Sequence, residues 1–291
     1  MPSRSYAELS DRGIIRITGD DSRDFLQGLI SNDINQVGPA RAIYAALLTP
    51  QGKYLFDFFI VEHDGGLLLE TEATAIPALT KRLTMYKLRS QVTLEDVSAN
   101  WRVLALWGDD TAATLSLAGE AGAAAASNNG VAFIDPRLAE VGARAYVSAG
   151  DTLGEFEAAD NAAYDSHRLA LGLPDGSRDL VAEKSILLES GFDELHGVDW
   201  NKGCYMGQEL TARTKYRGLV KKRLVPIAID GPLPEPGTPI MAGDKSVGEV
   251  RSGRDGQALA LIRLETLEDT SAGLIAGDAK VTPRKPDWAS F

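Results

Sequence analysis

The sequence predicts an α+β protein with a smaller all-β domain at its C-terminus. Two patterns carry this expectation. Over residues 1–222, strand-like runs joined by hairpin turns are interleaved with segments of helical spacing, which suggests α+β layers rather than a purely parallel sheet. After Arg223 only short β segments remain, separated by Gly, Pro and Asp. A chain of 291 residues, 44% hydrophobic and 24% charged, is long enough for about two such domains.

"GIIRI" (13–17) predicts a strand. "GDDSRDFLQGLIS" then predicts a helix capped by Asp21 or Ser22, with Phe25, Leu26, Leu29 and Ile30 on one face. Residues 42–48 and 54–62 read as strands, and "HDGG" turns into a further strand, "LLLET". Ile76, Leu79, Leu83 and Tyr86 mark a helix over about 74–86. A similar unit follows: a strand at 101–108, a helix at 109–118, and strands near 131–135 and 143–148. The Ala/Gly-rich "AGEAGAAAASNNG" between them reads as a frayed helix end and loop. A helix is expected over 156–171 and irregular chain over 172–200. The domain division is placed at 1–222 and 223–291.

Composition excludes several classes. No run approaches the roughly 18 apolar residues of a membrane helix, and "MPSRSYAELSDRG" has no apolar signal stretch, so the expectation is a cytoplasmic protein without membrane contact. One cysteine excludes an internal disulfide and a self-sufficient cluster held by four thiolates. Three histidines (His63, His167, His196) lack zinc-ligand spacing, and no tightly bound metal is expected. A net charge of −11 argues against direct nucleic-acid binding. The run 213–223, "RTKYRGLVKKR", is the exception, with six basic residues and no acid. It reads as a solvated joint or as an anion site.

That run follows the only cysteine, in "NKGCYMGQEL" (201–210). Gly203 and Gly207 would allow unusual backbone angles and close approach on either side of Cys204. "GQELTAR" can open a short helix, and a helix N-terminus with Lys202 nearby would favour thiolate. A packed, inert cysteine is the alternative.

"KGCYMGQE", Lys202 to Glu209, matches in full the motif of the YgfZ-type folate-binding proteins. These resemble the glycine-cleavage T-protein, and their mitochondrial relatives assist iron–sulfur cluster assembly. "FLQGLISNDI", "LLTPQGKYLFDFFI", "YKLRSQV" and "HRLALGLP" extend the resemblance along nearly the whole chain. It implies a T-protein-like ring of two interlocked α+β lobes plus a C-terminal β-barrel, around a folate-sized channel.

The resemblance further implies a site for tetrahydrofolate or a derivative. Asp57 would be the carboxylate near the reacting folate nitrogen; its alternative is a strand carboxylate facing solvent. Asn32, Asp33, Gln51, Lys53, Tyr86 and Arg89 fall in segments resembling the channel wall, Arg89 being suited to the folate's carboxylates. Lys202, Gly203, Tyr205, Gly207, Gln208, Glu209 and Arg213 surround the thiol. One departure stands out: the family's Arg-x-Glu-x-Gly segment is Arg168-Leu169-Ala170-Leu171-Gly172 here. The glutamate that would hold the pterin is absent, and Glu189 is the candidate substitute.

Three functions follow. The first is a folate-binding accessory protein for iron–sulfur clusters, acting through Cys204, with client enzymes (tRNA-modifying ones included) or cluster carriers as partners. The second is a folate-dependent aminomethyltransferase with Asp57 as acid–base group. The third is an RNA-binding module using 213–223.

Overall fold

The computed structural model describes residues 4–127, 130–148, 154–268 and 273–291. The body begins with β1 (Arg4–Glu8), β2 (Arg12–Thr18), α1 (Ser22–Gln27), β3 (Ile43–Leu48), β4 (Tyr54–His63), β5 (Gly66–Glu72), α2 (Ile76–Lys87) and β6 (Thr93–Asp96). It continues with β7 (Arg102–Gly108), α3 (Thr111–Thr114), β8 (Ala124–Ser127), β9 (Gly130–Ile134), β10 (Ala143–Val147), β11 (Glu157–Ala158), α4 (Asn161–Leu171), α5 (Gly176–Asp179) and α6 (Gln208–Tyr216). One sheet runs β3-β4-β5-β2-β6 and the other β11-β1-β7-β10-β9-β8. Because β1 pairs with β7 and β11 of the second sheet, the chain threads both lobes from its start, which interlocks them.

Period-two alternation explains the layers. Tyr44, Ala46, Phe59 and Val61 face inward between the sheets, with Ala105, Phe133 and Tyr146 in the same cluster. Their neighbours Ile43, Ala45, Phe58 and Ile60 face the opposite way, sharing a second cluster with Leu26, Leu79 and Leu83 of α1 and α2. Both faces of the first sheet are therefore covered, and its strands read as nearly continuous apolar runs.

β12 (Lys222–Asp230), β13 (Pro239–Ala242), β14 (Lys245–Arg254), β15 (Gln257–Arg263), α7 (Leu264–Glu268), β16 (Leu274–Ala276) and β17 (Ala279–Pro283) complete the chain. Their strands close into a six-stranded barrel. Arg168 of α4 fastens it: 2% exposed, it donates to Asp165 (2.7 Å), Asp179 (2.8 Å), the Leu173 carbonyl (3.0 Å) and Ser252 Oγ of β14 (2.7 Å).

Three local expectations are corrected. The Ala-rich stretch is not a frayed helix end: Ala124 to Ser127 form β8, paired with β9, so strand pairing overrides alanine's helix preference. The helix expected over 109–118 shortens to α3, and the one over 156–171 begins only at Asn161, where Asp160 accepts from the Ala163 amide.

Candidate functional site

Cys204 is exposed, on an irregular stretch just before α6. What holds this stretch is a second segment, residues 28–33, between α1 and β3. Ser31 Oγ donates to the Gly197 carbonyl at 2.6 Å, and the Asp199 amide donates to the Ser31 carbonyl at 3.1 Å. Asn32 Nδ2 donates to the carbonyls of Tyr44 and His196, both at 2.7 Å. Lys202 Nζ donates to the carbonyls of Ile30 (2.6 Å) and Asn32 (2.7 Å). Beyond the thiol, the Met206 amide donates to the Gly28 carbonyl at 3.0 Å. Cys204 thus stands between two anchor points on the same segment.

Asp199 shapes the approach to the motif. Its Oδ1 accepts the amides of Asn201 (2.6 Å) and Lys202 (3.0 Å), and its Oδ2 accepts Gln36 Nε2 at 2.5 Å. Burial pushes the Lys202 ammonium down to about 8, although Asp33 and Asp199 pull the other way. The Tyr205 hydroxyl is pushed up to about 12 by burial. Through its bonds to Ile30 and Asn32, half-buried Lys202 serves the loop as a clamp to backbone carbonyls.

The two motif glycines differ. Gly207 has φ +82°, and a Cβ there would lie 2.4 Å from the Thr49 carbonyl oxygen, so only glycine fits against the turn before β4. Gly203 has open space around it and no positive φ, correcting the expectation of close approach on both sides. Gln208 accepts the Tyr205 amide at 3.3 Å, while Glu209 and Arg213 are exposed on α6.

The other candidates divide. Asn32 and Asp33 belong to the holding segment, and Asp33 accepts from Gln27 and the Asn35 amide. Gln51 and Lys53 flank Gly52, whose Cβ would meet the Gly207 carbonyl oxygen at 2.6 Å, so their turn abuts the motif. Tyr86 packs under the first sheet, and Arg89 is exposed beyond the end of α2, in a shallow cleft with Asp21 and Leu88. Glu189, raised by burial, answers to Lys222, Lys53 and Arg223. Ala170 lines a small cleft with Trp288, Arg284, Glu140 and Asp287.

Asp57 faces inward and is 4% exposed, which corrects the solvent-facing alternative. A register shift in the β3–β4 pairing, with Leu47 opposite Phe56 and Leu48 opposite Tyr54, lets Tyr54 and Asp57 share a face. Both carboxylate oxygens are taken: Tyr44 donates to Oδ2 at 2.8 Å and Tyr54 to Oδ1 at 2.7 Å. Burial and the Asp57 charge raise both phenols well above their usual range. Around this trio, Glu70 accepts from Arg12 (2.6 Å), Arg144 (2.7 Å) and Tyr146 (3.0 Å). Each Asp57 oxygen thus already accepts from one tyrosine hydroxyl, inside a core of side chains.

Two family profiles match the chain. The one described as GCVT N-terminal domain covers residues 4–149, and the one described as CAF17, C-terminal beta-barrel domain covers residues 221–291. The chain is 34% identical over 309 residues to the Homo sapiens protein named iron-sulfur cluster assembly factor IBA57, mitochondrial, covering 96% of this chain and 84% of that one. The chain belongs to the IBA57 family. The IBA57 homologue of Mycosarcoma maydis is 35% identical over 238 residues, which is 76% of this chain and 56% of that protein's length. IBA57 members thus supply the mitochondrial relatives that the YgfZ-type resemblance implied. The aminomethyltransferase T of the Bartonella henselae glycine cleavage system shares the fold, with a TM-score of 0.78 over 99% of this chain and 86% of its own, at 16% identity. The expected cytoplasmic location is overturned as a reading of this family: the IBA57 relatives of Mycosarcoma maydis, Homo sapiens and Mus musculus are named as mitochondrial.

Proposed function

We propose that this chain acts in iron–sulfur cluster assembly, as the names of its IBA57 relatives state for them, and that the Cys204 thiol is the group that meets the cluster or its iron or sulfur. The observation that carries this reading is an exposed thiol held between two backbone anchors. A single thiolate can accept or bridge a cluster but cannot hold one alone, so the cargo passes between this chain and another molecule. Clients are cluster-dependent enzymes, tRNA-modifying ones among them.

Aminomethyl transfer is the weaker reading, because Asp57 is closed by two tyrosines and Ala170 replaces the pterin acid. Cluster assembly is therefore proposed without a folate step. The test is complementation of cells depleted of their own copy. Cys204→Ala should keep the wild-type circular dichroism and melting temperature yet fail to restore cluster-dependent enzyme activity. Full restoration by Cys204→Ala would sink the reading.

A further inference from the structure

Residues 73–93, α2 and its flanks, hold four basic side chains and no acid, on a chain of net charge −11. Among the described residues, no carboxylate pairs with Lys81, Arg82, Lys87 or Arg89. α2 buries Ile76, Leu79 and Leu83 in the cluster under the first sheet, yet Met85 and Leu88 are 61% and 88% exposed. Leu88 is held out in strained backbone: φ +47° with ψ −107° suits glycine, not a bulky side chain. Strain of this kind persists only where the surrounding structure enforces it, and it concentrates at functional sites.

The acids bordering this face are Asp20 and Asp21 ahead of α1, and Glu95 and Asp96 on β6. Asp21 accepts the Gln91 amide at 2.7 Å, and Asp96 accepts the Ser98 amide (3.0 Å) and hydroxyl (2.6 Å). Glu95 lies opposite Arg16 in the β2–β6 pairing. With Arg16 counted, cations outnumber carboxylates on this face. The other basic run, 213–223, differs: its cleft is shared with Asp199 and Glu209, and Lys215 Nζ already stands 3.7 Å from the Trp200 ring centre.

We propose that the α2 face docks on an anionic lipid surface, with Met85 and Leu88 entering the headgroup layer and the four cations meeting the lipid phosphates. No helix among the described residues is long and apolar enough to cross a membrane, so the contact proposed is peripheral. Basic side chains are drawn to an anionic headgroup layer, and apolar ones add burial once they reach it. Leu88 is a protruding knob, which a fluid surface accepts without a shaped pocket; an acidic protein would need one. The inference stands apart from the reading of Cys204.

The test is co-sedimentation of the full chain with vesicles of phosphatidylcholine alone, or of two parts phosphatidylcholine to one part phosphatidylglycerol. At low salt the anionic vesicles should bind about tenfold more protein or better, and high salt should remove most of the difference. Leu88→Gly relieves the backbone strain, so its melting temperature should hold or rise while its vesicle binding falls about tenfold. That pairing separates docking from a structural role, which would move both the other way. The double variant Lys81→Glu, Arg89→Glu should lose the preference for anionic vesicles with its circular dichroism unchanged.

Equal binding to the two vesicle types, or wild-type binding by Leu88→Gly, would overturn the proposal. Binding that survives the double variant but is lost in Lys215→Glu, Arg217→Glu would overturn it in favour of the 213–223 run. Tighter binding to a polyglutamate peptide than to the anionic vesicles would overturn it in favour of an acidic protein. None of these outcomes touches the Cys204 complementation result, so the two readings can fall separately.

Discussion

Gly207 packs so closely on Gly52 that a Cβ built on it would lie 3.1 Å from the Gly52 Cα. Both residues have positive φ, +82° and +81°. Two glycines more than 150 positions apart thus set the distance between the cysteine loop and the turn before β4.

Gly207→Ala should destabilise the fold by more than about 1 kcal/mol, through backbone strain and a clash with the Thr49 carbonyl. Gly203→Ala should stay within about 0.5 kcal/mol of wild type, because its Cβ would enter open space. Urea denaturation of the pair checks this; equal losses would show that the contact does not set the loop.

Lys202→Met removes the clamp to Ile30 and Asn32 and leaves two carbonyls without their donor, at about 1–3 kcal/mol. Amide exchange over 201–207 should quicken, and alkylation of Cys204 should change rate although no atom of the thiol is altered. The pH dependence has a definite sign. The folded-state value is lowered to about 8 from 10.5, so between those values the unfolded chain holds a proton that the folded chain has released. Unfolding then takes up a proton, and this group's contribution to stability rises with pH across that window. Its burial penalty is fully present below about pH 8. Lys202→Met should flatten that part of the profile, as denaturation at stepped pH would show.

Asp57→Ala should cost about 2–5 kcal/mol, because it orphans the hydroxyls of Tyr44 and Tyr54 inside the core. Tyr54→Phe strips one carboxylate oxygen of its donor and should cost about 1–3 kcal/mol. Both losses should appear in thermal unfolding, with Cys204 reactivity unchanged in the folded protein.

A titration with tetrahydrofolate, kept anaerobic and followed by tryptophan fluorescence, should give no saturable change in the wild type. Saturable binding that Asp57→Ala removes would mean that the two tyrosines open in solution and that the channel admits its ligand.

The strands and α2 were legible in the sequence because both faces of the first sheet are buried and the apolar positions keep their period. β8 was hidden, since four residues of alanine and serine carry no strand preference until β9 pairs with them. The motif around Cys204 was legible in one unbroken stretch, but its support was not. Ser31, Gln36 and Asp199 act through partners more than 160 positions away, and no local spacing signals such pairs. Asn32 and Asp33 were singled out by resemblance, but that Asn32 reaches the His196 carbonyl, 164 positions on, while Asp33 accepts from Gln27 and the Asn35 amide, could not be read from spacing. "YLFDFFIV" announced a strand, yet the register shift that turns Asp57 and Tyr54 to the same face is visible only once the strands are paired.

The span between the two halves of the thiol's support has a consequence for how the chain matures. Residues 28–33 leave the ribosome about 170 residues before Lys202, so they wait, between α1 and β3, for the segment they will hold. The thiol gains its fixed setting only after almost the whole body has been made and has closed on itself. A nascent or misfolded copy carries the same cysteine but not the same presentation, and a carrier that recognises the arranged surface would pass it by.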